Sequence, residues 1–283
     1  MSELARKIAE RIGREGPIPF SVFMEMALYD EAHGYYLGDP FGKDGDFFTA
    51  SQLQPVFGAY LRELCERLVP GYENFVDIGA GREELRESFA GKDYRAVQRG
   101  QKIPQTKTSV LFSNELIDAL PIDLLDGGEL LRVSCEGLDF AWHPHAPRAG
   151  VKEVRPSVRA HLEEAWKSME RGCYVIADYG YRGREALRFE MGSLMSYRRH
   201  VASEEVLIEP GERDITAHVD WDRLIHEARE TGWEAESFGS LRASILGLGA
   251  ETLASLNSLG EMQFRTLFFS LGESFEILVL RKS

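Results

Sequence analysis

With 283 residues, 43% hydrophobic and 11% aromatic, the chain is long enough to bury a sizeable core as one large domain or one domain with insertions, which excludes a small peptide-like scaffold. The 33 Lys+Arg set against 46 Asp+Glu leave a net charge of −13, which repels polyanions and argues against nucleic acid as a main partner, even though Arg182, Arg184, Arg188, Arg198, Arg199 and His200 crowd one stretch. Cys65, Cys135 and Cys173 form no CxxC pair, so no zinc or other metal site and no disulfide framework is expected, and a reducing cytoplasm fits.

The opening MSELARKIAERIGREG, with Leu4, Ala5, Ile8, Ala9 and Ile12 at helical spacing, reads as an amphipathic helix rather than a targeting signal, and no apolar run is long enough to span a bilayer. Pro17 and Pro19 break that helix. Phe20 to Leu28 restart an apolar helical segment that Gly34 is expected to end. A DPFGKDG loop and the aromatic run DFFTA lead to a helix from roughly residue 54 to 69, closed by Pro70 and Gly71. NFVDIGAG then reads as a strand entering a glycine turn, with REELRESFA of helix-forming composition behind it. YRAVQ, TSVLFSNE, CYVIADYG and FEILVLRK are further strand-length apolar runs, and SVRAHLEEAWKSMERG is a helix just before the third of them. Alternating strands and helices predict an α/β fold with a mostly parallel sheet covered on both faces. DLLDGGELLRVSCEGLDFAWH, with turn signals GG and EG, predicts an inserted antiparallel hairpin pair. The Leu- and Phe-rich stretch after residue 240 is expected to pack in the core and leaves a homodimer surface open.

Ligands of open α/β sheets bind outside the carboxyl ends of the strands, so the ends of these runs hold the candidate residues. In Asp77-Ile78-Gly79-Ala80-Gly81 the glycines allow close backbone approach and Asp77 offers a carboxylate to an ammonium or hydroxyl, although such turns also serve strand-to-helix packing alone. If the chain turns helical after Asn114, Glu115 and Asp118 share one face and could grip a guanidinium; the alternative is that Asn114 caps a helix with acids in its first turn. Asp178-Tyr179 could line a substrate pocket. His200 and His218 are candidate bases, although each alone suits a structural role as well.

Together GPIPFSVFMEMALYDEAHGYYLGD, GDFFTA, DIGAGR, NELIDALP, DYGY, YRRH and PGERDITAHVDW, collinear from near residue 16 to near residue 221, resemble the methyltransferases related to the mitochondrial complex I assembly-factor arginine methyltransferase and its bacterial counterparts. The resemblance implies a Rossmann-like class I methyltransferase sheet with an N-terminal helical cap over residues 1–70, a methyltransferase domain over 71–283, and insertions near 122–145 and 182–218. It also implies S-adenosylmethionine as cofactor, its methionine end over Gly79, Ala80 and Gly81 near Asp77 and Asn114, Gln98 at the ribose position, and Gly45, Asp46 and Thr49 contributed by the cap. A protein side chain such as arginine is the implied substrate, with Glu115, Asp118 and His218 as the catalytic candidates. Four departures bear on the cofactor side. Glu83 replaces the third glycine of the turn, Gln98 replaces an acid, Gln52 replaces another acid in the TASQ run, and only residues 99–108 separate the second strand from TSVLFS, too few for the usual crossover helix and strand. The competing readings are therefore a catalytically silent relative acting through partner binding and a small-molecule methyltransferase.

Overall fold

The computed structural model describes residues 2–38, 50–199 and 201–283. The expected cofactor residues Gly45, Asp46 and Thr49, and His200, lie outside the described residues. The chain divides into two compact units, one holding the described residues of Met1–Phe48, Asp118–Val158 and Tyr181–His218, the other those of Thr49–Ile117, Arg159–Gly180 and Val219–Ser283.

The second unit carries the main sheet. Its strands are β1 (Asn74–Ile78), β2 (Asp93–Val97), β3 (Thr106–Asn114), β4 (Met169–Tyr181), β5 (Glu234–Ser240) and β6 (Phe275–Lys282), in the spatial order β5-β6-β4-β3-β1-β2, with the short strand Val219–Asp220 paired to β4. The pairs β1–β2, β1–β3 and β3–β4 are parallel, whereas β6 runs antiparallel to both β4 and β5. All five apolar runs expected to be strands are strands. β2 is one edge of the sheet among the described residues, and residues 98–105 lead straight into β3, so the short connection leaves the sheet one crossover shorter, as its length requires.

Side chains alternate across each strand. One face carries Phe75, Val110, Phe112, Cys173 and Val175, packed with Phe57, Tyr60 and Leu61 of the helix Val56–Leu68 and with Leu241, Ile245 and Leu267 from the C-terminal helical segment. The other face carries Ser113 and Tyr174. The Tyr174 hydroxyl lies 2.9 Å from Ser113 Oγ and 2.8 Å from Nε2 of His161 on the helix Val158–Lys167, and burial pushes the His161 imidazole down to about 4.

The helix expected over REELRESFA does not form. The chain there makes successive turns, closed by Glu83 N–H to Ala80 O (2.8 Å), Arg86 N–H to Glu83 O (3.0 Å) and Phe89 N–H to Leu85 O (3.2 Å). The cause is local: Gly81 (φ +51°) and Glu83 (φ +59°) are left-handed, which interrupts the right-handed dihedrals that a helix nucleus needs. Leu85 and Phe89 are nevertheless buried, with the Phe89 ring stacked on Phe75.

In the first unit the helix Glu3–Glu15 is capped by Ser2, whose Oγ accepts from Ala5 N–H at 3.1 Å, and buries Leu4, Ile8 and Ile12. The next helix, Phe20–Tyr29, stops short of Gly34 because the Asp30 carboxylate takes the N–H groups of Ala32 (3.1 Å) and His33 (3.2 Å) into an Asx turn. Both expected hairpins form, Asp123–Asp126 with Glu129–Leu130 around left-handed Gly127 and Gly128, and Arg132–Glu136 with Asp139–His143. Each belongs to a different three-stranded sheet, and a third joins Met195–Arg198 to Val201–Ser203 and Asp214–Thr216. No helix among the described residues is long and apolar enough to cross a membrane.

Candidate active site

Asp77 and Tyr94 point to the sheet face covered by the helix Val56–Leu68, because they follow Phe75 and precede Ala96 by two residues in paired strands. Asn114, two residues after Phe112, shares that face. Asp77 is buried and accepts the Tyr94 hydroxyl at 2.6 Å. Burial pushes its carboxyl up to about 7, the Tyr94 hydrogen bond opposes the shift, and Glu84 and Glu83 add to it. Gly79 donates its N–H to Val97 O at 2.9 Å with φ +74°, and a Cβ there would stand 3.0 Å from Leu116 Cδ1, so both backbone conformation and space call for glycine. Gln98 Nε2 donates to Gly81 O at 3.1 Å, which ties the end of β2 to the turn. Glu83, in place of the third glycine, accepts from Arg86 Nε at 2.6 Å.

Asn114 closes β3. Its Nδ2 donates to Glu115 Oε1 at 2.8 Å, while its Oδ1 is buried and takes no hydrogen bond from any described residue. A buried acceptor without a donor costs free energy, and a ligand donor arriving at the strand end would relieve it. The residues present therefore fit a polar cofactor on this face.

Residues 115–120 form bends and turns, so neither helical reading holds. Asn114 is no helix cap. Glu115 is left-handed at φ +51° and donates its N–H to Ala177 O at 3.0 Å. Glu115 and Asp118 do not share a helical face, and they belong to different units. Asp178, expected as a pocket carboxylate, is fully buried and accepts from Ile117 N–H (2.9 Å) and Tyr179 N–H (2.8 Å), splicing the ends of β3 and β4. Gln52 sits half-buried in the single turn Ala50–Gln52.

In the other unit, the structure brings Asp118 and His218 together around Arg155. The Arg155 guanidinium donates to the carbonyls of Ala217 and His218, and Ala217 N–H donates to Asp118 O at 3.2 Å. Burial raises the Asp118 carboxyl, with Arg155 opposing, and depresses the His218 imidazole, with Arg155 adding to the effect. The His218 ring lies 4.8 Å from that of Phe189, and the His218 backbone N–H donates to Ser193 Oγ at 2.8 Å. Tyr36 donates to Asp214 Oδ1 at 3.0 Å and stacks on Tyr29. Sequence reasoning missed Arg155, Tyr36, Tyr94 and Asp214. Tyr36 and Asp214 lay inside the matched blocks, whereas Arg155 carried no local signal.

A family model described as "Putative S-adenosyl-L-methionine-dependent methyltransferase" matches residues 137–239. The protein arginine methyltransferase NDUFAF7 homolog of Drosophila melanogaster is 24% identical over 320 residues, covering 81% of this chain and 70% of that protein, and NDUFAF7 of Xenopus tropicalis is 25% identical, covering 77% and 70%. The fold matches a Burkholderia thailandensis protein crystallised with S-adenosyl-homocysteine at a TM-score of 0.81, with 22% identity, 99% of this chain and 92% of that one. The order of motifs, the sheet with its glycine turn and these relatives agree in one direction: the chain is similar to S-adenosyl-L-methionine-dependent methyltransferases in sequence and in fold.

Proposed function

We propose that the protein transfers a methyl group from S-adenosylmethionine to a nitrogen of a protein side chain, with arginine as the acceptor. The cofactor supplies an electrophilic methyl group. Asp77, the Gly79–Gly81 backbone and Asn114 would hold it, and the observation that carries this reading is the buried Asn114 Oδ1 left without a donor at the end of β3. The arginine acceptor rests on the similarity to the two protein arginine methyltransferases described above. A guanidinium nitrogen needs positioning more than a strong base, which suits Asp118, a buried carboxyl that can accept a hydrogen bond or a proton. His218, kept neutral by burial, can accept a hydrogen bond from the acceptor through an imidazole nitrogen. Glu115 is assigned no helical clamp.

A second reading, partner binding without turnover, is favoured by the internal partners that Glu83 and Gln98 already have on the turn. Titration calorimetry of the cofactor-stripped protein with S-adenosylmethionine and S-adenosylhomocysteine separates the two. Micromolar binding, about −8 kcal/mol, followed by mass-spectrometric detection of methylated arginine in an acceptor protein supports the enzyme, whereas no heat and no thermal shift leaves partner binding.

A further inference from the structure

Around Gly79–Gly81 the polar groups form one connected set. Tyr94 donates to Asp77 at 2.6 Å, the Arg86 guanidinium lies 4.7 Å over the Tyr94 ring, and Glu83 holds Arg86 through its Nε at 2.6 Å and through its terminal nitrogen. Gln98 closes the remaining side by donating to Gly81 O. The set contains a buried carboxyl satisfied by a hydroxyl donor, and a guanidinium satisfied by a carboxylate. An α-amino acid presents the complementary pair, an ammonium donor and a carboxylate acceptor.

We propose that Tyr94 and Glu83 occupy the glycine turn as stand-ins for the two charged ends of an amino acid, and that the amino-acid end of the cofactor enters by displacing Tyr94 from Asp77 and Glu83 from Arg86. This rests on the S-adenosylmethionine reading above. Both residues thereby set the affinity for ligands that carry an amino-acid end and leave the nucleoside end untouched. Each exchange replaces one hydrogen-bonding partner by another of the same polarity, so the turn needs no new backbone conformation to admit the ligand. The cost is competition, since every bound amino-acid end must outbid a partner tethered in the same chain at high effective concentration.

Titration calorimetry with S-adenosylhomocysteine and with 5′-methylthioadenosine, which lacks the amino-acid end, tests this on the wild type, Glu83→Gly and Tyr94→Phe. Glu83 is left-handed at φ +59°, a conformation that suits glycine, and Tyr94→Phe keeps the ring on Phe75, so both variants retain the packing of the turn. Glu83→Gln, which keeps the side chain and drops its charge, is the control for any loosening of the backbone. The expected result is that all three variants bind S-adenosylhomocysteine about tenfold tighter, with 5′-methylthioadenosine changed less than about twofold. Unchanged or weaker S-adenosylhomocysteine binding in Glu83→Gly or in Tyr94→Phe overturns the proposal, as does equal tightening of both ligands. Absence of binding in every protein overturns the cofactor reading itself.

Discussion

Burial gives Asp77 a greater affinity for its proton in the folded chain, about 7, than its ordinary 3.8. Between those values the native state holds a proton that the unfolded chain has released, so this residue's contribution to stability is present at acid pH and is lost as pH rises through about 7. Asp77→Asn keeps an acceptor for Tyr94 and has no charge to desolvate. It is expected to stabilise the protein by a few kcal/mol at pH 8 and by little at pH 4, read as the shift in urea midpoint at the two pH values. Part of this site was legible in the residue string: the glycines and Asp77 ended an apolar run, and Asn114 ended another. Tyr94 was not, because YRAVQ drew attention to its last residue. Only the pairing register of β1 with β2 shows that a side chain in the middle of that run reaches the carboxylate.

At the level of elements, the splice between β3 and β4 depends on one carboxylate. Asp178→Ala removes the acceptor for Ile117 and Tyr179 N–H groups and is expected to cost about 2–4 kcal/mol in chemical denaturation, with Asp178→Asn costing less because one oxygen remains. The parallel contact of the same two strands has a second sensitive point at Gly172. A Cβ there would stand 1.9 Å from Ser109 O, which is backbone and cannot swing aside, so Gly172→Ala is expected to destabilise by about 3 kcal/mol or more. The buried strands were readable because their apolar runs have no other use. β5 was not: EAESFGS is polar with no fully buried residue, and it is a strand because β6 offers it an edge. The helix read into REELRESFA failed for the opposite reason, since good composition could not outweigh two left-handed residues at its start.

Over the whole molecule, the cofactor candidates Asp77, Gly79 and Asn114 fall in one unit and Asp118, Arg155 and His218 in the other. Binding and transfer should therefore respond to different substitutions. Asp118→Asn is expected to lower methylation of a protein acceptor about 100-fold, roughly 2.7 kcal/mol of transition-state stabilisation, while leaving S-adenosylhomocysteine affinity within about threefold by calorimetry. The sequence disclosed this division only as motif order; Arg155, which donates to the carbonyls of the 217–218 segment, had no motif to announce it. The chain of Ser113, Tyr174 and His161 on the far face of the sheet acts on the same scale. Its imidazole, held down to about 4 against an ordinary 6.5, favours the folded state at neutral pH and gives up that contribution as pH falls from 6.5 towards 4, the reverse of Asp77. Across that window unfolding takes up a proton at His161 and releases one at Asp77. His161→Gln, which retains a partner for the Tyr174 hydroxyl, should leave a stability that falls steadily as pH rises from 4.5 to 7, measurable as a sloping urea midpoint where the wild type is flatter. Asp77 and His161, on the two faces of one sheet, thus titrate against each other.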